Sequence, residues 1–490
     1  MKKILKFLLL TIAIAILLFP RWLAHHFGDQ VTFEQFLFHI FSGTRGLTKG
    51  MIGAEREFIY SFMLYEVVSP TLLAIVLSVI FRMKWIRSKL NNYIPINPKI
   101  SLSWYYSATF MSLLYCSLSL GAMPYFWSFF QKDQISKLYV EPANIEFTKI
   151  NTKNNPPSLI LIYVESLESG FRREQIYGKN LIESLDVLQG SSVDTFPNAP
   201  GTGWSIAGMV ASQCSIPVKL FYGNGLQEKQ HFLPNAICMG DVLNRYGYDQ
   251  YFLTAVETSF AGMDHFYSDH GYQHLLGMTQ WRQRGVPESA FNGWFGALHD
   301  DTLLDQAKKV VVEAEKSGKP YNVTLITTDN HGPEGWPSGN CVISKDRRLE
   351  DSFACNAGFV AKLINDLNAQ GALKNTVVVI MGDHQFMNTP DQTNLFPAPR
   401  NVFFKIITPG NQLVPNRDTM THFDVAPTIL SALGISNKES PYFGLGISLD
   451  AKLNESTYSE HLNRVMDQGI LNPSLLYDSF WLTNQKRIIK

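Results

Sequence analysis

Five short runs dominate the chain beyond residue 157: "SLILIYVE" at 158–165, "YDQYFLTAV" at 248–256, "YNVTLITTD" at 321–329, "NTVVVIMGD" at 375–383 and "NVFFKIIT" at 401–408. Each is nearly continuous in apolar residues, with little of the alternation expected of a half-solvated strand. Strands of this kind are buried on both faces. Helical patterns lie between them, such as "DTLLDQAKKVVVEAEKSG" and "NAGFVAKLINDLNAQG". Strands alternating with helices predict an α/β domain with a largely parallel central sheet, placed here at 158–450.

The residues before this domain read differently. Three apolar stretches, 4–19, 58–81 and 103–127, are expected to cross a membrane. Lys2, Lys3 and Lys6 precede the first, and no small-residue cleavage site follows it, so it reads as an uncleaved anchor. Glu66 and Pro70 interrupt the second, which predicts packing against neighbouring helices. Arg82, Lys84, Arg87 and Lys89 between the second and third stretches fit a cytoplasmic side. Three spans starting inside leave everything after about residue 128 outside the cytoplasm. The expected organisation is a membrane anchor at 1–127, a linker at 128–157, the catalytic domain at 158–450 and a C-terminal extension at 451–490. Formal net charge is zero, so no basic surface points to nucleic acid.

Of the five cysteines, Cys116 lies in the third stretch, and Cys214, Cys238, Cys341 and Cys355 lie in the exterior part. An even number there suits an oxidising compartment. Pairing of neighbours, Cys214 with Cys238 and Cys341 with Cys355, is the simplest of three connectivities. None has the C-x-x-C spacing of a zinc knuckle.

Ligands of open α/β sheets bind beyond the carboxyl ends of the strands. Glu165 follows the first run, Asp329 to His331 follow the third, and Asp383 with His384 follow the fourth. Three strand ends carrying carboxylate or imidazole on one sheet edge would suit Mg²⁺, Mn²⁺ or Zn²⁺. In "NAPGTGWSIAGMVAS" at 198–212, Thr202 stands between two glycines at the mouth of a helical run. A helix start attracts phosphate or sulfate, and glycines permit close approach. With a cation to stabilise its alkoxide, Thr202 is the expected nucleophile. As a plain alternative, Thr202 only caps the helix.

The segments "YVESLE", "FPNAPGTGWSIAGMVASQCSIP", "FAGMDHFYSDHGYQHLLG", "TTDNHGPEG" and "MGDHQ" resemble the bacterial membrane phosphoglycerol transferases. That family includes the enzyme that decorates osmoregulated periplasmic glucans and, more distantly, lipoteichoic acid synthase. All belong to the alkaline phosphatase and sulfatase superfamily. The resemblance covers roughly 155–450. It implies one divalent metal ion, Mn²⁺ or Mg²⁺ in first place and Zn²⁺ in second, held by Glu165, Thr202, Asp383 and His384. It also makes Thr202 the covalent nucleophile and His331 the residue that contacts the phosphoryl group or assists the leaving group. "FNGWFGALHDDTLL" resembles the substrate-side segment and adds Trp294 and Asp301 to His331 as substrate contacts, with a longer spacing than the family's. The cysteine pairs also resemble those of glucan-modifying members. The implied reaction transfers phosphoglycerol from phosphatidylglycerol to a cell-envelope glycan through a phosphothreonine, releasing diacylglycerol at a bacterial inner membrane, with the catalytic domain in the periplasm.

Three other readings compete. A phosphoethanolamine transferase would share the threonine and metal but use another lipid donor. A sulfatase or phosphodiesterase would use water, yet "CSIPVK" at 214–219 lacks the C/S-x-P-x-R pattern that sulfatases mature. A non-catalytic glycan-binding protein would be expected to have lost at least one of Glu165, Thr202, Asp383 and His384. His422 in "THFDVAPTIL" reads as structural.

Overall fold

The structure is a computed structural model. It describes residues 2–27, 59–80, 102–142, 156–219, 230–387, 396–435 and 440–482, less positions 129 and 412, together with the isolated residues 35, 37 and 394. The basic residues 82–89 used above for orientation lie outside these. The chain divides into two compact units, one built mainly from residues 1–127 and the other from 128–386 and 392–490.

In the first unit, α1 (Lys2–Phe27), α2 (Ser69–Ile80) and α3 (Leu102–Ser119) are the main helices. Two stretches among the described residues, Lys3–His25 and Ile59–Ile80, are long and apolar enough to cross a membrane. The third expected span falls short of that apolarity. Serines, tyrosines and a threonine interrupt α3, and Gly121, at φ 70°, separates it from a short helix Ala122–Ser128. Trp22 Nε1 donates to Ser61 Oγ at 3.0 Å, and Thr109 Oγ1 to Leu9 O at 3.3 Å, tying the Ile59–Ile80 stretch and α3 to α1.

The second unit is built on a seven-stranded sheet. Its strands are β1 (Ser158–Val164), β2 (Ser191–Ser192), β3 (Asp249–Thr254), β4 (His274–Leu276), β5 (Tyr321–Ile326), β6 (Thr376–Gly382) and β7 (Phe404–Ile407). Their order is β2-β7-β6-β1-β5-β3-β4. The five strands from β6 to β4 are parallel, and β7 runs antiparallel to β6. β1 lies at the centre, and residues 159–164 are completely buried. Side chains shielded on both faces in this way stabilise the fold by about 1.5–3 kcal/mol each. Lys405 is the one charge inside the run at 401–408; its Nζ reaches the carbonyls of Leu185, Asp186 and Leu188, each at 2.8 Å, which satisfies the buried ammonium.

Residues expected to form a linker or an extension are partly built into this unit. Val140 pairs with Gly444, and Ile135 is fully buried. Ile470, Tyr477 and Phe480 are buried too, and Asn472 Nδ2 donates to Lys132 O at 3.0 Å. Lys219 Nζ donates to Asn472 O at 2.6 Å, fastening the same segment to the chain that leaves the 205–214 helix. Apolar residues at both ends of the domain thus shield each other, which polar composition alone did not signal. Disulfides join Cys214 to Cys238 and Cys341 to Cys355.

Candidate active site

The site begins with sheet register. β1 and β6 are adjacent and parallel, and Val164 is paired with Gly382. The next residue on each strand is therefore an acid, and Glu165 and Asp383 emerge side by side at the carboxyl edge. Glu165 N donates to Thr327 Oγ1 at 3.0 Å, which pins it to the end of β5. Ser166 then turns the chain at φ 55°, a conformation that costs a non-glycine residue about 1–2 kcal/mol. Such strain is commonly retained where a site needs it.

Glu165, Asp383 and His384 offer ligand atoms that lie within 4.8 Å of one another, and all three residues are buried. Asp383 Oδ1 accepts from Ser166 N at 2.8 Å and from His384 N at 3.0 Å. Its Oδ2 is buried without a hydrogen-bond partner. His384 Nδ1 donates to Gln385 O at 2.6 Å, which leaves Nε2 to face the carboxylates, 3.4 Å from Asp383 Oδ2 and 3.7 Å from Glu165 Oε1. Burial, with Glu165 beside it, pushes the Asp383 carboxyl up to about 6. Burial works against a charged His384, but the two carboxylates outweigh it and raise its pKa. Two buried carboxylates, an orphaned oxygen and a correctly presented imidazole nitrogen fit a divalent cation, whose charge would relieve their repulsion.

Two hydroxyls meet this cluster: that of Ser166, buried and donating to Glu165 Oε1 at 2.6 Å, and that of Ser205 at the helix start. Ser205 Oγ lies 3.3 Å from Glu165 Oε2 and 3.3 Å from His384 Nε2. Thr202, the residue expected there, is fully buried, and its Oγ1 donates to Ala199 O at 2.7 Å, away from the cluster. The helix itself, α4 (Ser205–Cys214), starts three residues later than Thr202, with Trp204 as its cap. The positive φ of Gly201, 74°, folds residues 199–202 into a turn whose last hydroxyl points back onto its own backbone. The signal that would have found Ser205 was present. It is the first residue of the apolar helical run, where backbone N–H groups lack intrahelical partners and favour an anion.

Gly208 lets α4 approach the carboxyl end of β6. A Cβ at that position would stand 1.9 Å from Asp383 O. Gly208→Ala is expected to cost about 1–3 kcal/mol by overpacking and to push Asp383 off its position. Thermal unfolding and metal content of the purified variant measure the two effects; a variant as stable and metal-loaded as its parent contradicts this close approach. Beneath the same carbonyl, His422 Nε2 donates to Asp383 O at 2.8 Å. His422 is completely buried, which lowers its pKa to about 3. It supports the Asp383 backbone from below, a role consistent with its structural reading in the sequence.

The end of β5 supplies the other wall. His331 lies under Trp294, with ring centroids 4.2 Å apart and planes 22° from parallel. Burial lowers the His331 pKa to about 4, and the neighbouring His384 and Asp383 also act on it, in opposite directions. Its Nδ1 donates to Gly332 O at 3.0 Å, so the neutral ring keeps its lone pair on Nε2. A reciprocal clasp holds this loop. Asp300 accepts from Thr328 N and Asp329 N, both at 2.8 Å, while Asp329 Oδ2 accepts from Asp300 N at 2.9 Å and pairs with His299 Nδ1 at 3.0 Å. Asp301, expected as a substrate contact, accepts instead from Ser338 Oγ and Asn340 Nδ2, each at 2.7 Å. Those bonds hold its carboxyl below the usual range despite partial burial. Trp294 and His331 are thus brought together, and Asp301 braces the loop beside them.

A mostly parallel sheet carrying this triad at its carboxyl edge, faced by a helix-borne hydroxyl, is the architecture of the alkaline phosphatase-like class. The chain belongs to the sulfatase family, whose model matches residues 157–435. Over 356 residues, 69% of this chain, it is 34% identical to the phosphoglycerol transferase I of an Escherichia coli strain, and it spans 45% of that relative's length. Two solved structures share the fold. One is a protein in the alkaline phosphatase superfamily from Vibrio parahaemolyticus, at TM-score 0.52 and 19% identity, covering 66% of this chain and 77% of that one. The other is the lipoteichoic acid synthase LtaP from Listeria monocytogenes, at TM-score 0.51 and 18% identity, covering 71% and 97%.

Proposed function

We propose that the chain transfers phosphoglycerol from phosphatidylglycerol to a cell-envelope glycan, with Ser205 as the covalent nucleophile. The observation that carries this reading is the Ser205 hydroxyl, placed at a helix start within 3.3 Å of both Glu165 and His384. The phosphoglycerol transferase relative supports the choice of group transferred. The two disulfides and the apolar N-terminal helices favour a membrane-anchored protein with this unit in the periplasm.

Glu165, Asp383 and His384 would hold a divalent cation, Mn²⁺ or Mg²⁺ in preference to Zn²⁺, which would supply Lewis-acid polarisation at the phosphoryl group. The first half-reaction forms the Ser205 Oγ–P bond and breaks the P–O bond to diacylglycerol. The serine proton ends on the diacylglycerol oxygen. The start of α4 stabilises the phosphoryl charge with its free N–H groups. In the second half-reaction a glycan hydroxyl attacks phosphorus and the Ser205 Oγ–P bond breaks. His331 Nε2, which carries the ring's lone pair because Nδ1 donates to Gly332 O, accepts the incoming proton, which returns to Ser205. The intermediate is thus a phosphoserine at 205 in place of the phosphothreonine at 202 expected above.

Incubating the purified protein with phosphatidylglycerol and Mn²⁺ is expected to release diacylglycerol, read by thin-layer chromatography. Phosphatidylethanolamine run beside it is expected to give none. Release from phosphatidylethanolamine alone would assign the donor to the competing transferase class.

A further inference from the structure

The turn that carries Trp294 opens onto a line of aromatic rings with no part in the two half-reactions above. Phe260 stands edge-on to Trp294 at 5.7 Å between centroids. Phe295 follows Trp294 at 5.8 Å, and Trp336 follows Phe295 at 5.0 Å. Successive planes from Trp294 outward tilt by 47° and 54°, so the rings make a curved wall of separate faces. Phe260, Phe295 and Trp336 are half-exposed, whereas Trp294, at the inner end on His331, is buried.

Two features show that the wall is built. Ala261 (φ 51°) and Phe295 (φ 46°) both hold left-handed backbone conformations that disfavour side chains, and each sits beside a ring of the wall. Surrounding contacts must enforce such strain. Trp336 is fastened independently: its N–H donates to Asp329 O at 2.6 Å, Gly335 N donates to His331 O at 3.2 Å, and the loop beyond is tied to Asp301 and closed by the Cys341–Cys355 disulfide.

We propose that Phe260, Phe295 and Trp336 form the acceptor subsite, taking the pyranose rings of a glycan chain and leading one hydroxyl to His331. This rests on the transferase reading above. Aromatic faces are electronegative and attract the C–H-bearing faces of sugar rings, while exposed Asn292, Glu334 and Asn340 nearby offer partners for hydroxyls. A curved series of separate rings suits a chain of several sugars better than one flat ligand. An acyl chain would call for a continuous aliphatic surface, and Val342 is the exposed large aliphatic residue that this loop carries among the described residues.

The test uses the full-length protein in detergent with phosphatidylglycerol, Mn²⁺ and a β-linked gluco-oligosaccharide. Trp336→Ala is expected to release diacylglycerol within about twofold of the parent when acceptor is absent. Its apparent KM for the oligosaccharide is expected to rise about tenfold, and Trp336→Phe to recover most of that loss. An unchanged oligosaccharide KM overturns the proposal. So does a raised KM for phosphatidylglycerol with the oligosaccharide KM intact, which would give the wall to the donor lipid. If the parent releases no diacylglycerol, the transferase reading fails by itself. The wall is then judged by tryptophan fluorescence: saturable quenching by the oligosaccharide, lost in Trp336→Ala, supports a glycan site, and no quenching removes it.

Discussion

Ser205→Ala is expected to lower phosphoglycerol transfer by at least ~10⁴-fold, the loss typical of a removed nucleophile, while leaving the fold and the bound metal in place. The side chain lost is small and half-buried at the first position of α4, so the helix keeps its packing. Of the other hydroxyls nearby, that of Ser166 is buried and donates to Glu165 Oε1 at 2.6 Å, and that of Thr202 is spent on Ala199 O. Thr202→Ala is expected to retain the covalent step and to lose mainly the stability of one buried hydrogen bond, about 0.5–1.5 kcal/mol. Mass spectrometry of protein incubated with phosphatidylglycerol and no acceptor decides between the Ser205 and Thr202 hydroxyls, which lie on the same peptide and are separated by fragmentation. Phosphoglycerol on Thr202 would restore the expectation drawn from the sequence. Diacylglycerol release by Ser205→Ala near the parent rate would instead mean direct attack by acceptor or water.

Removal of the divalent metal is expected to abolish transfer, with a loss comparable to that of Ser205→Ala. Chelation should be reversed by Mn²⁺. Glu165→Ala and Asp383→Ala should each fail to retain metal after dialysis, measured by elemental analysis. The geometry explains why both are needed. Glu165 comes from β1 and Asp383 from β6, and each has one oxygen occupied by local donors and one directed toward the cluster or left without a partner. Taking away either leaves a two-ligand site around His384. Without a cation, burial and the neighbouring Glu165 raise the Asp383 pKa to about 6, so the apoprotein relieves this repulsion by binding a proton as pH falls through that value. Full metal occupancy in either variant would exclude that residue as a ligand.

The sheet was legible before any coordinates. β1, β3, β5, β6 and β7 fall within the five apolar runs, because strands covered on both faces must be apolar at every position. The short strands β2 and β4 were not, since two or three residues carry too little pattern to separate them from a loop. The antiparallel direction of β7 escaped for a related reason: a buried run looks the same read either way.

Residue types at strand ends pointed to the buried cluster of Glu165, Asp383 and His384, and the four cysteines beyond residue 128 pointed to the two disulfides. Both follow from local chemistry, which sequence states directly. Which groups actually meet is a matter of adjacency and register. β1 and β6 are separated by more than 200 residues in the chain, and only their pairing sets Glu165 beside Asp383. The choice between Thr202 and Ser205 turns on three residues of helix entry. A tight turn spends the first hydroxyl on its own backbone, and the start of α4 presents the second to Glu165 and His384. Likewise Trp336 and Phe260 reach the same wall from loops about 75 residues apart, because the ends of parallel strands gather their loops on one edge of the sheet. Composition and periodicity fix what each segment must bury; the direction in which an individual side chain leaves a turn depends on backbone angles and packing that only the folded sheet imposes.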